Sequence, residues 1–372
     1  MEKILSYGNR QKIVFMFRKQ FYTSFTPVEY MSFEQRIKKL QAYLELKKID
    51  CIVTSNPSNI FYFTGIYNLE GYLCISKKDL KFFTGGIYYQ YAVDRQNSLN
   101  IPDFSVEQIN KNFYVFLKSF KKPSIISSEV SAGKWKQLCQ KATRQINLID
   151  NFIARMRMVK EKEEIEKIKK AEKIAWSVLR HVRNLIKPGV SELDIAAEIL
   201  YQIRKQGGDK EAFQVIVASG INSSYPHHQP TARKFKDKDI VLIDMGVCRE
   251  GYNSDITDTT IIGKIEKEVK DVLLAIADVH KYVEERIEKG ETSCKKLHDT
   301  GVKVLKKNGL EKFFTHGLGH GVGIDVHEMP QLSPVSRDKL EKGVVFTIEP
   351  GVYLPGKWGI RIEKMKYYCG DT

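Results

Sequence analysis

No apolar run in these 372 residues approaches the roughly 18–20 that a membrane-spanning helix needs. A secretory leader is not expected either. The best apolar run near the start, Ile13–Phe17, is five residues long, short of the usual apolar core of about 7–15. Cysteine is sparse: Cys51, Cys74, Cys139, Cys248, Cys294 and Cys369 are scattered, with no C-x-x-C. Neither a disulfide framework nor a zinc ribbon is expected, and a reducing cytoplasm fits. Short-period repeats are missing. Blocks of like charge are missing too. The net charge is +15, but lysine is interleaved with acids, so a solvated surface is expected rather than a nucleic-acid or membrane face. Lys160–Lys173 alternates Lys with Glu, a pattern suited to i,i+4 pairing on a helix. The most telling absence is histidine: all eight lie beyond residue 180.

What is present is enough for two domains. With 42% hydrophobic and 11% aromatic residues, the chain can bury substantial cores. Residues 1–31 are basic and aromatic and are read as an extension without an assigned role. From Ser32 to about Ile149, helix and strand patterns alternate. Ser32 opens a helix that carries Ile37, Leu40 and Leu44 at helical spacing. Cys51–Thr54, Phe61–Phe63, Tyr72–Ile75 and Lys81–Thr84 read as strands, and Asn56–Asn59 as a turn. This half groups no ligand-type residues and carries no obvious chemistry. A junction follows near residues 150–175, leading into an amphipathic helix with Ile165, Ile168, Ala171 and Ile174 on one face. Ser191 caps the next helix, with Asp194 closing a loose capping box. Beyond Gly207-Gly208 the text is strand-rich, with helices near 267–288 and 292–307.

The chemistry lies in this second half. Asp244 ends the apolar strand Ile240–Ile243, and Asp255 follows eleven residues later. That interval accommodates a strand, a turn and a returning strand, which would set the two carboxylates face to face. Unpaired carboxylates at the end of a buried strand call for a cation; the alternative is a pair of acids capping turns. His316 to Gly323 alternates histidine with glycine, and His327-Glu328 follows. Glycine permits close backbone approach, so these imidazoles can converge. Glu349 ends the strand Phe346–Ile348 before Pro350-Gly351, and Arg361 and Glu363 lie two apart in a further strand, hence on one face. Together Asp244, Asp255, His320, Glu349 and Glu363 supply four carboxylates and one imidazole. Oxygen ligands with a single nitrogen suit manganese, cobalt, zinc or iron better than calcium. Four buried acids without metal would repel and raise one another's pKa.

The order D-x(10)-D, then H, E and E, resembles the pita-bread metallopeptidases, the family of methionine aminopeptidase, prolidase and aminopeptidase P. The resemblance extends over 32–153, similar to the creatinase/prolidase N-terminal domain through Ser55-Asn56-Pro57, Asn59 and Tyr62-Phe63-Thr64-Gly65. It covers 154–372 as the catalytic domain, including Val217–Gly220 and Pro226-His227. It implies an α+β fold: an N-terminal α/β domain followed by a pita-bread domain. The extra N-terminal domain, His316 four before His320, Glu363 in R-I-E, and His227 resemble the proline-specific branch. Asp258 departs from the family's S-D-I-T-R-T, which puts local salt bridging in question.

The resemblance implies cleavage of the Xaa-Pro bond at a peptide N-terminus, with a prolidase acting on Xaa-Pro dipeptides as the alternative. It implies two divalent ions, manganese first and cobalt or zinc next. Asp244 would chelate one ion, His320 and Glu349 the other, and Asp255 and Glu363 would bridge. Glu349 would shuttle the proton, His327 would stabilise the oxyanion, His227 and His316 would shape the proline pocket, and Arg361 would orient its neighbours. A homodimer, a peptide substrate with proline second, and neither nucleic acid nor membrane as partner complete the expectation. A non-catalytic binding module on the same fold is the reading from another class. A nucleic-acid binder resting on the +15 charge is a third.

Overall fold

A short apolar run is ambiguous until its partners are known, and Pro57–Thr64 shows why. In a computed structural model, which describes residues 33–99 and 103–370, this segment is a helix, not the strand expected at Phe61–Phe63. Asn56 accepts hydrogen bonds from the amides of Ser58 and Asn59, and Pro57 occupies the first turn, where its missing N–H costs nothing. The helix is buried from Asn59 to Thr64, so no amphipathic stripe betrays it. Residues 1–31 and the helix start at Ser32 lie outside the described residues.

The chain divides into two compact units, 29–157 and 158–372. In the first, α1 (Phe33–Lys47) leads to β1 (Cys51–Thr54) and α2 (Pro57–Thr64). Then come β2 (Gly71–Ser76), β3 (Leu80–Thr84), α3 (Gly86–Leu99) and β4 (Phe104–Gln108). The unit continues with α4 (Lys111–Ser119), β5 (Pro123–Ile126), α5 (Ala132–Ala142) and β6 (Asn147–Ile149). The strands form one mixed sheet in the order β4-β3-β2-β1-β5-β6. Phe113 and Leu117 of α4 and Leu138 of α5 pack on Val53, Tyr72, Cys74 and Ile125. The Asn-Pro motif has a structural use here. The half-buried Glu129 carboxylate accepts from Thr54 Oγ1 (2.6 Å), the Ser55 amide (2.9 Å) and Asn59 Nδ2 (2.7 Å). Arg157 then donates to Asn59 Oδ1 at 2.9 Å.

A short helix, α6 (Phe152–Met158), links to the second unit. There, α7 (Lys162–Arg183) and α8 (Glu192–Lys205) precede β7 (Lys210–Glu211), β8 (Ile216–Ser219), β9 (Ile240–Met245), β10 (Val247–Arg249), β11 (Tyr252–Asn253) and β12 (Ile256–Ile261). Next come α9 (Lys267–Glu288), α10 (Cys294–Lys307), β13 (Gly319–Gly321) and β14 (Glu328–Leu332). The last strands are β15 (Val345–Ile348), β16 (Gly351–Leu354), β17 (Trp358–Arg361) and β18 (Lys364–Tyr367). Two helix pairs each cover an antiparallel sheet. Val178 and Val182 of α7 and Ile195 and Ile199 of α8 bury against Val217, Val241, Ile243 and Ile256 of the sheet β12-β9-β8. Ile276 and Val279 of α9 and Leu297 and Leu305 of α10 bury against Leu318, Leu332, Phe346 and Ile348, around the sheet β14-β13-β15-β18. Each such side chain contributes about 1.5–3 kcal/mol on burial. The architecture is α+β throughout.

The Lys/Glu run lies along α7, where Lys167 meets Glu163 at 2.9 Å in the expected i,i+4 pairing and Lys169 meets Glu166 at 3.0 Å at i,i+3. Lys160 does not. It lies before the helix, 1% exposed, and pairs with the buried Glu328 at 2.6 Å. Its backbone N–H donates to Gly343 O at 3.0 Å. A lysine is buried only when its charge is met. Lys160→Met, which takes this buried cation from Glu328, is expected to cost about 1–3 kcal/mol in urea unfolding. An unchanged midpoint would contradict that role.

Candidate metal centre

The register of β9 against β12 sets the site's floor. Asp244 lies opposite Thr257, so the Asp255 carboxylate comes up just before β12 begins. The intervening β10–β11 hairpin absorbs the spacing between the two acids. His320 sits in β13, Glu349 just past β15, and Glu363 in the link between β17 and β18. The strand Gly359–Glu363 read from the sequence ends at Arg361.

All five residues converge. Ligand atoms of Asp244, Asp255 and Glu363 lie within 4.8 Å of one another, as do those of His320, Glu349 and Glu363. The two sets share Glu363. A third set joins Asp255, His320 and His327. His320 Nε2 is 3.4 Å from Glu349 Oε1, 3.6 Å from Asp255 Oδ2 and 3.9 Å from Glu363 Oε1. Its Nδ1 faces Gly321 O at 3.1 Å; a proton there turns the lone pair of Nε2 toward the acids.

The electrostatics are those of a site built for cations. Burial, then the charge of Asp244, pushes Glu363 up to about 7. Burial, then Glu363, raises both Asp255 and Glu349 well above the carboxylate range. Burial, then His327, lowers His320 to about 3, so its imidazole is neutral and able to ligate. Asp244 Oδ1, Asp255 Oδ1 and Glu363 Oε1 are buried and accept no hydrogen bond, whereas buried polar atoms nearly always have a partner. Oxygen-rich donors with one neutral nitrogen, three of the oxygens left open, fit a pair of divalent ions.

The second oxygens of Asp244 and Glu363 are committed. Arg361 Nη2 donates to Asp244 Oδ2 at 2.6 Å, and Thr257 Oγ1 donates to Glu363 Oε2 at 2.8 Å. Arg361 also reaches Tyr353 OH (2.6 Å), Thr257 Oγ1 (3.2 Å) and Pro226 O (3.3 Å). Tyr353 OH lies 3.0 Å from His316 Nε2, and His316 Nδ1 lies 2.8 Å from Gly317 O. One tautomer satisfies that chain: Arg361 donates to Tyr353, Tyr353 to His316, and His316 to the backbone. Burial holds His316 neutral, down to about 4. His327 stacks edge-on against His320, ring centres 4.0 Å apart, and is exposed on its other side, as His227 is. Asp258 alternates away from this face and pairs with Arg183 of α7, Nε to Oδ2 at 2.9 Å. Asp258, which stands where the family pattern has arginine, is thus met by an arginine on a helix.

Tyr353, Thr257, Thr347 and His280 carry no ligand signature and were not legible as site residues. Thr347 Oγ1 accepts the His320 amide at 3.2 Å, and His280 of α9 donates to Ile362 O at 2.9 Å, beside Glu363. The glycines of the histidine run have a steric role. A Cβ on Gly319 would stand 2.0 Å from Thr347 O, and one on Gly321 2.0 Å from Met329 O. Gly319→Ala is therefore expected to push β13 off β15, costing about 1–3 kcal/mol by overpacking and displacing His320. Thermal unfolding together with metal affinity checks this; wild-type values for both would refute it.

A two-unit α+β chain whose second unit gathers four acids and an imidazole into overlapping ligand sets has the make-up of a metal-binding protein. The chain belongs to metallopeptidase family M24, whose model matches residues 166–367, and the creatinase/prolidase N-terminal domain matches residues 36–159. A curated Xaa-Pro dipeptidase of Pyrococcus horikoshii is 32% identical over 333 residues, covering 88% of this chain and 93% of the relative. The solved Xaa-Pro dipeptidase of Bacillus anthracis superposes with a TM-score of 0.83 at 25% identity, covering 90% of this chain and 95% of that one. The X-Pro aminopeptidase of Thermotoga maritima superposes with a TM-score of 0.78 at 30% identity, covering 89% and 94%. Among the described residues no helix is long and apolar enough to cross a membrane.

Proposed function

We propose that this metallopeptidase hydrolyses the Xaa-Pro bond at the N-terminus of peptides. The observation that carries the reading is the double ligand set joined through Glu363, set beside relatives named for Xaa-Pro cleavage. Asp244 would hold one ion, His320 and Glu349 the other, with Asp255 and Glu363 shared. Manganese suits four oxygens with one nitrogen, and cobalt or zinc would substitute. When bound, the ions supply positive charge that polarises the scissile carbonyl and acidifies a water.

The chain's own residues do the rest. Of the four acids Glu349 is the most exposed, its side chain at 17% against 12% for Asp244, 5% for Asp255 and 2% for Glu363. It is the carboxylate placed to take a proton and hand it to the leaving imino nitrogen. Burial lowers the pKa of His327, so the ring is neutral and keeps one N–H, which it offers to the developing oxyanion. His316, locked by Tyr353, and the exposed His227 form the wall against which the proline ring rests. Arg361 holds Asp244 in register. His327→Ala is expected to lower kcat about a hundredfold with KM little changed, as loss of one oxyanion donor does. A pure KM effect would place the ring in substrate binding instead.

A dipeptidase is the second reading, favoured by the name of the Pyrococcus relative. A manganese-loaded assay of an Xaa-Pro dipeptide against an Xaa-Pro-Xaa tripeptide separates the two. Turnover of the tripeptide supports the aminopeptidase, turnover of the dipeptide alone supports the dipeptidase, and turnover of neither defeats both. We further propose a cytoplasmic homodimer, tested by sedimentation.

A further inference from the structure

Glu192, the first residue of α8, is 0% exposed and plays no part in the metal centre. Six donors converge on its carboxylate. Oε1 accepts from the Ser219 amide (2.8 Å), Ser219 Oγ (2.7 Å) and Asn222 Nδ2 (3.0 Å). Oε2 accepts from the Thr231 amide (3.0 Å), Thr231 Oγ1 (2.7 Å) and His228 Nε2 (2.9 Å). Every donor belongs to the segment 219–231. One buried side chain therefore pins both ends of a loop that contains Tyr225, Pro226 and His227. The loop's middle is tied to the site side: Gly359 N donates to Ser223 Oγ at 2.9 Å, and Arg361 Nη1 to Pro226 O at 3.3 Å. His227 lies between these two sets of anchors. Burial by itself would raise the pKa of Glu192, yet hydrogen bonds from His228, Thr231, Ser219 and Asn222 leave it lowered, so the group is ionised.

We propose that Glu192 is a positioning residue for the peptidase reaction: it fixes the 219–231 loop and thereby sets His227 against the substrate. The inference rests on the reading of His227 as a substrate-side residue. A carboxylate is required because it accepts on both oxygens. An amide would accept on one and turn its own N–H donors toward those already present. Unpinned, the loop is free to sample many conformations; held through six donors spread along it, it presents His227 in one place.

The test combines kinetics and hydrogen exchange on the manganese-loaded enzyme and on the metal-free chain. Glu192→Gln is expected to lower kcat/KM on an Xaa-Pro-Xaa tripeptide about tenfold to a hundredfold. His227→Ala should lose a similar factor, and the double variant no more than His227→Ala alone. Metal content should match wild type. In the metal-free chain, amide exchange should quicken within 219–231 and nowhere else. Thr231→Val, which removes a single hydroxyl donor, carries the same cycle at smaller amplitude where Glu192→Gln does not fold. Wild-type kinetics in Glu192→Gln or Thr231→Val, losses that multiply with His227→Ala, or faster exchange spread across the whole unit would each overturn the proposal while leaving the functional reading intact. A wild-type enzyme inert on every Xaa-Pro peptide would remove that reading, and the proposal with it.

Discussion

Glu363→Gln is expected to abolish peptide hydrolysis and to leave the enzyme with less than its full complement of metal. Glu363 is the residue common to the acidic ligand set with Asp244 and Asp255 and to the mixed set with His320 and Glu349. Its Oε2 is held by Thr257, and its Oε1 is buried without a hydrogen-bond partner. Glutamine keeps the shape but removes the charge, so both ligand sets lose a donor at once. Metal ions supply several kcal/mol of transition-state stabilisation, and each ~1.4 kcal/mol is a factor of ten. The fall in kcat/KM should therefore exceed about a hundredfold. Elemental analysis of the purified variant, run beside its kinetics on an Xaa-Pro peptide, checks both halves. A fully metallated and fully active Glu363→Gln would show that the five residues do not hold the catalytic ions.

The metal-free protein should lose stability as pH rises from about 6.5 to 8, and bound metal should abolish the loss. Glu363 sits at about 7 when folded against an ordinary 4.5, and Asp255 and Glu349 are also raised well above their ordinary values, each first by burial. Within this window the folded chain holds protons that the unfolded chain has released. Stability then falls as pH climbs, by about 1.36 kcal/mol per pH unit for each retained proton. The histidines act the other way, but lower down. His280 at about 3, His316 at about 4 and His320 at about 3, all depressed by burial, make stability rise with pH most steeply below the ordinary histidine value near 6.5, the rise fading by about 7.5. Above that value each histidine still returns about 0.4 kcal/mol, because half of the unfolded imidazoles are protonated at about pH 6.5. The net loss is therefore carried by Asp255 and Glu349, each at about 1.36 kcal/mol per pH unit while it keeps its proton. Divalent ions replace the retained protons, and at a hundredfold excess over Kd they add about 2.7 kcal/mol. Calorimetry at pH 6.5, 7.25 and 8, with chelator and with manganese, measures both effects. A metal-free midpoint that climbs with pH would mean that the acids are not crowded as the geometry requires.

The five ligand-type residues could be read from the chain because metal chemistry restricts them to a few side chains at strand ends and in a glycine-rich run. The residues that hold them could not. Tyr353 is one of eighteen tyrosines, and nothing in its neighbours announces a hydroxyl that joins Arg361 to His316. Lys160 sits in a run whose other lysines lie along a solvated helix, yet it is buried against Glu328. Glu192 reads as an ordinary first-turn acid at a helix N-terminus. Pro57–Thr64 reads as the end of a turn followed by a strand, because a helix buried on all sides carries no stripe.

The α+β class and the metallopeptidase family came from the resemblance that the motif order carries; composition, period and residue type by themselves determined the place of the chemistry in the second half and the residue types that carry it. These depend on local pattern and on which side chains can ligate at all. Tertiary structure alone decided which lone pairs stay open and which are taken, and which charges are buried together. Those depend on contacts between residues about a hundred positions apart, such as Arg361 with Asp244 and Thr257 with Glu363. No window of sequence records the distance between them.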